Sequence, residues 1–370
     1  MAQSDFRVAI IDTADDTRDF QQKLKNQGVE VVIRYLALGK SSKLANKRII
    51  DNIADATHPS SEAEALLDNG FGIVLVYEWG NNSPGKFIFG VDQQGNAINT
   101  GPKSTEYTAI ATTQANNDVD AAVAQATAIG LPDAPIYFTI DFDLTNYPGD
   151  AQDNQGNTLT YSDGTNVTNA TAAAAARVYV QQLNARLGKA RLGLYAGGWA
   201  IQQFSSLVTY VWVTQSRGFA NSAAVLRKSP WHLFQQMDWA WFLDGDCETS
   251  LDIDTDIQNP SVSDIGAFGK AGPYIIDAAR TQAIFGKRYV AVQDTPVYAQ
   301  KGGPSLAIVK SCHNGVPVTV SSVLRNLSLR VIDDTDPQWL SVDLNEDGLS
   351  DGYASKTGFV ISIKLMHDYS

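Results

Sequence analysis

Short apolar runs recur between segments of helical periodicity from residue 8 to about residue 257. The runs are Val8–Asp12, Glu30–Leu36, Ile73–Trp79, Pro135–Asp143, Arg191–Ala196, Tyr210–Ser216, His232–Met237 and Asp252–Ile257. Each has the length and the Val/Ile/Tyr/Phe content of a buried strand. Between them lie DDTRDFQQKLKNQG, SSEAEALLDNG, the Asp118–Gly130 stretch and the alanine-rich Asn169–Gly188 stretch, which read as helices. These segments end in glycine shortly before the next strand, a common helix terminus. Strands alternating with helices predict right-handed parallel βαβ units. Eight of them predict an α/β fold closed into a (β/α)8 barrel, with a doubly wound sheet as the alternative.

Two polar segments rich in Gly, Asn, Asp and Pro interrupt the pattern, Gly80–Thr105 and Leu144–Thr168. Each follows the C-terminal end of a predicted strand, where a barrel carries its site, so they are either substrate-binding loops or surface insertions. Beyond about Gly286 the rhythm changes to short alternating strands: RYVAVQDTPVYAQKG, GVPVTVSSV, LSLRVIDD, QWLSVDL and TGFVISIKL. That pattern predicts a small all-β domain. The expected domains are therefore residues 1–280 and 286–370, with the boundary near Ala279–Lys287.

Composition narrows the function. The chain of 370 residues is 44% hydrophobic and 18% charged, ordinary for a globular protein. A formal net charge of −12 excludes nucleic acid as an expected partner, because phosphate binding needs a basic surface. No apolar run reaches the roughly 18 residues that a membrane span requires. The N-terminal MAQSDFRVAI lacks a charged region followed by an apolar one, so no signal peptide is expected. Synthesis is then cytoplasmic, and action at a cell wall or outside the cell requires secretion or phage machinery. Cys247 and Cys312 fall in different predicted domains and read as free thiols. No histidine pair has metal-ligand spacing, and neither a phosphate loop nor a G-x-S-x-G elbow is present. No metal or cofactor is expected. The segment DLNEDGLSD has calcium-loop spacing at Asp343, Asn345, Asp347 and Asp351 but lacks the closing glutamate, and reads as a plain turn.

Carboxylates supply the candidate chemistry. In PIYFTIDFD, alternation sets Ile136, Phe138, Ile140 and Phe142 against Tyr137, Thr139, Asp141 and Asp143. Both aspartates are expected to point inward at the mouth, about 7 Å apart along the strand. Close carboxylates raise one another's proton affinity, so one can hold a proton while the other stays charged, as glycoside cleavage requires. Asp12 ends the first strand and Glu78 nearly ends the third, while the eighth presents Asp252, Asp254 and Asp256 on one face. Helix capping is the competing reading for Asp12, Asp252 and Asp256. Tyr35, Tyr77, Trp79, Tyr195, Trp199, Trp212, Gln215, Gln235 and Gln236 are candidate sugar-contacting groups, since rings match sugar faces and amides match hydroxyls. Arg34 is either the partner of a rim carboxylate or anionic substrate group, or one half of an internal ion pair.

Several segments carry a resemblance: IIDTADD, VVIRYL, GFGIVLVYEWG, NNDVDAAVAQATAIGLPDAPIYFTIDFD and HLFQQMD followed by DIDTDI. Over about residues 7 to 258 the chain resembles the bacterial glycoside-hydrolase-like TIM-barrel family, itself similar to the family 25 lysozyme-type muramidases. The muramidases carry a D-x-E pair where this chain has Asp141-Phe142-Asp143. The resemblance implies Asp143 as general acid, Asp141 as stabiliser of a substrate-assisted intermediate, and Asp12 and Asp254 as orienting carboxylates. Aspartate is one methylene shorter than glutamate, so Glu78 is the alternative acid. The C-terminal module looks like a bacterial SH3 domain, on PVYAQKGGPS and WLSVDLNEDGLSDGYASKTGFV. Together these imply a hydrolase of bacterial peptidoglycan, such as a lysin or a delivered effector, with an SH3-like module that localises it. The alternative is a glycan-binding protein without catalysis.

Overall fold

The structure, a computed structural model, describes residues 9–26, 28–37, 48–78, 83–92, 95–103, 106–153, 155–214, 216, 219–228, 230–242, 250–259, 261–276, 288–291, 295–311, 317–319, 328–333, 335–343 and 350–361. Eight strands stand where the apolar runs predict them. They are β1 (Ile10–Thr13), β2 (Val31–Ala37), β3 (Gly72–Glu78), β4 (Ile136–Ile140), β5 (Leu192–Ala196), β6 (Tyr210–Val213), β7 (Leu233–Phe242) and β8 (Ser250–Gln258). The helices are α1 (Gln21–Asn26), α2 (Glu62–Asp68), α3 (Gly85–Ile88), α4 (Tyr107–Ala128), α5 (Asn169–Leu187), α6 (Gly198–Phe204) and α7 (Ser222–Lys228). The architecture is mixed α/β. The chain divides into two compact units, Val31–Gln236 with Ser261–Ile275, and Met1–Glu30 with Met237–Pro260 and Ile276–Ser370.

In the first unit β2, β3, β4, β5, β6 and β7 pair in parallel, each with the next in sequence. The order never reverses, so this is a singly wound, barrel-type succession and not a doubly wound one. Strands β2 to β6 are buried almost throughout, which explains why they read as continuous apolar runs. Side chains begin two of the helices where the sequence places them. Ser61 accepts a hydrogen bond from the N–H of Glu64 to start α2, and Thr168 accepts one from Thr171 to start α5. The segment after β8 contributes to this unit too. Phe268 pairs with Ile73 of β3, and the Tyr137 hydroxyl donates to the Ile265 carbonyl at 2.8 Å. Gly193 is required beside that tyrosine, because a Cβ there would lie 2.6 Å from the Tyr137 ring.

The two long polar segments are built alike. Asp92 and Asp153 each take the backbone N–H of a residue four positions on, Asn96 at 2.8 Å and Asn157 at 2.9 Å. Gly95 and Gly156 supply the positive φ, 83° and 81°, that these hairpin turns need. The segments then join through a short parallel pairing of Thr100–Gly101 with Thr160–Tyr161. They are ordered against each other rather than being separate surface insertions.

In the second unit β1 pairs with β8 antiparallel, Ile10 opposite Asp256 and Asp12 opposite Asp254. This corrects the expectation of parallel units throughout: only seven residues separate β7 from β8, fewer than the dozen or so that a crossover between parallel strands needs. The C-terminal strands are β9 (Arg288–Ala291), β10 (Thr295–Tyr298), β11 (Ser305–Ser311), β12 (Pro317–Thr319), β13 (Ser328–Asp333), β14 (Trp339–Asp343), β15 (Gly352–Ser355) and β16 (Phe359–Ile361). They form one antiparallel sheet in the order β12-β11-β10-β15-β14-β13-β9-β16. Alternation is strict in β10 and β15, where Thr295, Val297, Gly352 and Ala354 are buried and their neighbours are not. Cys247, Cys312, Asn345 and Asp347 lie outside the described residues.

Candidate functional site

Strand register decides which candidate residues share a face. Arg34 on β2 reaches Glu62 of α2, which marks its side of the sheet as the helix side. The register carries that side from Leu36 to Tyr77 and on to Phe138. Tyr77 therefore stands with the helices, its ring 5.5 Å from that of Phe138. The opposite face carries Tyr35, Glu78, Tyr137, Thr139, Tyr195, Trp212 and Gln235 in register. This corrects the expectation that Tyr77 lines the rim with Glu78, because adjacent residues of a strand point to opposite faces.

The inner face is polar at its depth. The Tyr195 hydroxyl donates to Gln235 Oε1 at 2.6 Å, and the rings of Tyr195 and Trp212 meet edge to face at 4.6 Å. Among the described residues, Thr139 Oγ1, Trp212 Nε1 and Thr214 Oγ1 are buried without a hydrogen-bond partner. All three side chains are about 1% exposed. Unpaired buried polar groups cost free energy, and these three, on β4 and at the end of β6 with β5 between them, lie on one face. Glu78 ends β3 on this face, and Asp141 follows β4 by one residue; both are half-buried.

Asp143 is placed differently. It is exposed, and its Oδ1 accepts the backbone N–H of Ala220 at 2.8 Å. The intervening Phe142 is buried against Phe87, with rings 6.2 Å apart. The strand ends at Ile140, so alternation no longer holds Asp141 and Asp143 side by side. Tyr147 and Gln202 engage the next residue of the same loop, Asn221. Trp199 is buried in α6 and packs on Phe204. In the other unit Asp12 and Asp254 face one another across β1 and β8, and Asp256 is fully buried. Trp79 and Gln215 lie outside the described residues, as do the side chains of Gln236 and Asp252.

Behind the inner face lies a buried ionic cluster that sequence reading missed. Lys86, in α3, is 1% exposed, with its Nζ 3.4 Å from the Thr139 carbonyl and over the rings of Phe87 and Tyr179. Asp118 of α4 accepts from Tyr179 at 2.6 Å and from Gln114 at 2.8 Å. Burial lowers the Lys86 ammonium to a pKa of about 8, against the pull of Asp118 and Glu78, which raise it. Burial, reinforced by Asp118, holds the Tyr77 hydroxyl well above its ordinary range. Arg34 and Glu62 form a second buried pair at 2.8 Å, both side chains fully enclosed, with Asn52 donating to the same carboxylate at 2.6 Å.

The Lys86 shift has a measurable consequence. The unfolded chain holds this proton up to about pH 10.5, whereas the folded one releases it near 8. The folded state binds fewer protons in that window, so this lysine makes stability rise as pH increases from about 8 toward 10. Urea denaturation of wild type against Lys86→Met is expected to show that rise in wild type alone.

The family of Rv2525c-like, glycoside hydrolase-like domains matches residues 22–255. The chain belongs to this family. Among solved structures, the Mycobacterium tuberculosis Tat-secreted protein Rv2525c in complex with L-tartrate is 18% identical, covering 68% of this chain and 95% of that one with a TM-score of 0.41. A family 18 chitinase from Pseudoalteromonas aurantia is 10% identical, covering 60% and 72%, at a TM-score of 0.29. An old yellow enzyme homologue from Zymomonas mobilis is 11% identical, covering 58% and 73%, at 0.31. No curated protein matches. Among the described residues no helix is long and apolar enough to cross a membrane, and no cluster of His, Cys, Asp and Glu suits a metal ion.

Proposed function

We propose that this member of the Rv2525c-like, glycoside hydrolase-like family cleaves bacterial peptidoglycan between its amino sugars. In this reading the eight strands serve as a (β/α)8-type barrel, and an SH3-like C-terminal module localises the enzyme on the wall. The observation that carries the reading is the inner face: unpartnered Thr139, Trp212 and Thr214 beside Glu78 and Asp141. Sugar hydroxyls and acetamido groups both donate and accept, so they satisfy such a mixture of groups while Tyr195 and Trp212 offer ring surface. Glu78 and Asp141 then form the working pair, one protonating the glycosidic oxygen and the other stabilising the positive charge that develops on the sugar. The protein acts at the wall, after export by secretion or phage machinery.

Incubation with purified peptidoglycan sacculi tests this reading, with release of soluble fragments as the expected result. Protein that pellets with the sacculi and releases nothing would contradict it. Asp143 separates two versions of the site. Its carboxylate holds the Ala220 N–H, a task an amide oxygen performs as well. Asp143→Asn is expected to keep at least about a third of wild-type release, and Asp143→Ala to lose more. Abolition by Asp143→Asn would restore Asp143 as the proton donor. One observation favours a binding protein without catalysis: the aspartate that stands in place of the muramidase glutamate is committed to a loop.

A further inference from the structure

The loop that follows β6 brings an aromatic ring over the end of β5. A Cβ added to Gly197 would lie 3.0 Å from Phe219 Cδ2 and 3.1 Å from Phe219 Cβ. Strand register gives the direction of that Cβ. Ile140, Ala196 and Val213 stand at one level of β4, β5 and β6. The pairing runs one step further, with the Thr214 N–H donating to the Ala196 carbonyl at 3.2 Å. Gly197 is extended, with φ −68° and ψ 162°, so strand alternation continues through it. A side chain there would point to the inner face, as that of Tyr195 does, at the level where Asp141 follows β4 and Thr214 follows β6. Half-buried Phe219 takes that space instead.

The three residues after Phe219 are held from several sides. The Ala220 N–H donates to Asp143 at 2.8 Å, and the Ala220 carbonyl accepts the Trp199 N–H at 2.7 Å. Asn221 has a φ of 64°, the one non-glycine residue with positive φ among the described residues. Its amide donates to Gln202 at 2.9 Å and to the Tyr147 hydroxyl at 3.3 Å. Ser222 Oγ accepts the Gly198 N–H at 3.0 Å, and a Cβ on Gly198 would strike the Asn221 backbone. A left-handed backbone at a residue with a side chain persists only where its surroundings impose it, and such positions cluster at functional sites. Here the imposed turn fixes the chain directly after Phe219.

We propose that Phe219 is a sugar-binding residue, the apolar platform on which one amino-sugar ring of the glycan lies while its polar edge meets Trp212 Nε1 and Thr214 Oγ1. The inference rests on the reading of the inner face as a glycan site. An independent observation points to the same ligand: those two polar atoms are buried and unpartnered, on the face toward which Phe219 is set. A pyranose has a C–H face that suits an aromatic ring and hydroxyl edges that suit the indole N–H and the threonine hydroxyl. A ring already fixed by its loop binds without the cost of being ordered. Asp143 then serves binding by holding the loop that carries Phe219.

Calorimetric titration with soluble, peptide-free glycan strands of peptidoglycan tests this without reference to cleavage. Phe219→Ala is expected to weaken binding about tenfold or more, and Phe219→Tyr, which keeps the ring, to stay within about threefold of wild type. Gly197→Ala keeps the phenylalanine but pushes it aside, and is expected to weaken binding by about threefold or more. Melting temperatures report whether each variant is folded; if Phe219→Ala is not, Gly197→Ala decides. Wild-type affinity in the folded Phe219→Ala or in Gly197→Ala, or a loss in Phe219→Tyr as large as in Phe219→Ala, would overturn the proposal. So would strands that wild type does not bind. Binding that depends on Phe219, with no fragment release from sacculi, would contradict the hydrolase reading and leave the Phe219 platform standing.

Discussion

Glu78→Gln is expected to lower fragment release from sacculi about a thousandfold, with the folded state intact. The substitution keeps the shape of the side chain and removes its charge, so it touches the stabilisation of the sugar cation and little else. Glu78 is half-buried at the end of β3, where an amide still finds water or ligand to bond. The melting temperature should stay within a few degrees of wild type. Loss of release without loss of fold is what distinguishes a working carboxylate from a structural one. Binding to sacculi, measured by co-sedimentation, should survive, because Trp212, Tyr195 and the threonine hydroxyls are untouched.

The second large effect is on stability. Arg34→Met is expected to cost about 3–5 kcal/mol, because it leaves the Glu62 carboxylate enclosed and short of its cation. Asn52, which donates to the same carboxylate at 2.6 Å, carries no charge to replace the lost cation. The double variant Arg34→Met with Glu62→Leu should recover most of that loss, since an apolar pair of similar volume has no charge to desolvate. Urea denaturation of the three proteins checks this, and a single variant within about 1 kcal/mol of wild type would show that the pair is not carrying the packing of α2 on β2. Arg34 thus fills the internal ion-pair reading, and Glu62 is its partner.

How far the chain could be read in advance follows from what each signal encodes. The eight strands were legible because buried strands are apolar on both faces, and runs such as GIVLVYE leave little ambiguity. The same uniformity hid the faces. Nothing in IVLVYE says which of Tyr77 and Glu78 turns toward the helices; the register with β2 and the Arg34–Glu62 pair decide it. Direction was hidden too, because LDIDTDI alternates identically whether it runs parallel or antiparallel, and the antiparallel pairing with β1 settles it. The Asp141-Phe142-Asp143 alternation failed for a local reason: the strand ends at Ile140, and the backbone of Ala220 draws Asp143 outward.

The cluster of Lys86, Asp118 and Tyr179 had no sequence signal. Its members stand on three helices far apart in the chain, and an isolated Lys in a polar loop region is ordinarily a solvated one. The paired hairpins did leave a trace, since Asp92, Gly95 and Asn96 recur with the same spacing as Asp153, Gly156 and Asn157. That repeat predicts two like turns, although not that they meet at Thr100–Gly101 and Thr160–Tyr161.

Sacculi digested with wild type, Glu78→Gln and Asp141→Asn, followed by mass spectrometry of the soluble fraction and labelling of new reducing ends, test the central claim most directly. The account predicts soluble disaccharide-peptides with new sugar reducing ends from wild type, and from neither variant. Equal release by all three proteins, or release of peptides without new reducing ends, would contradict it.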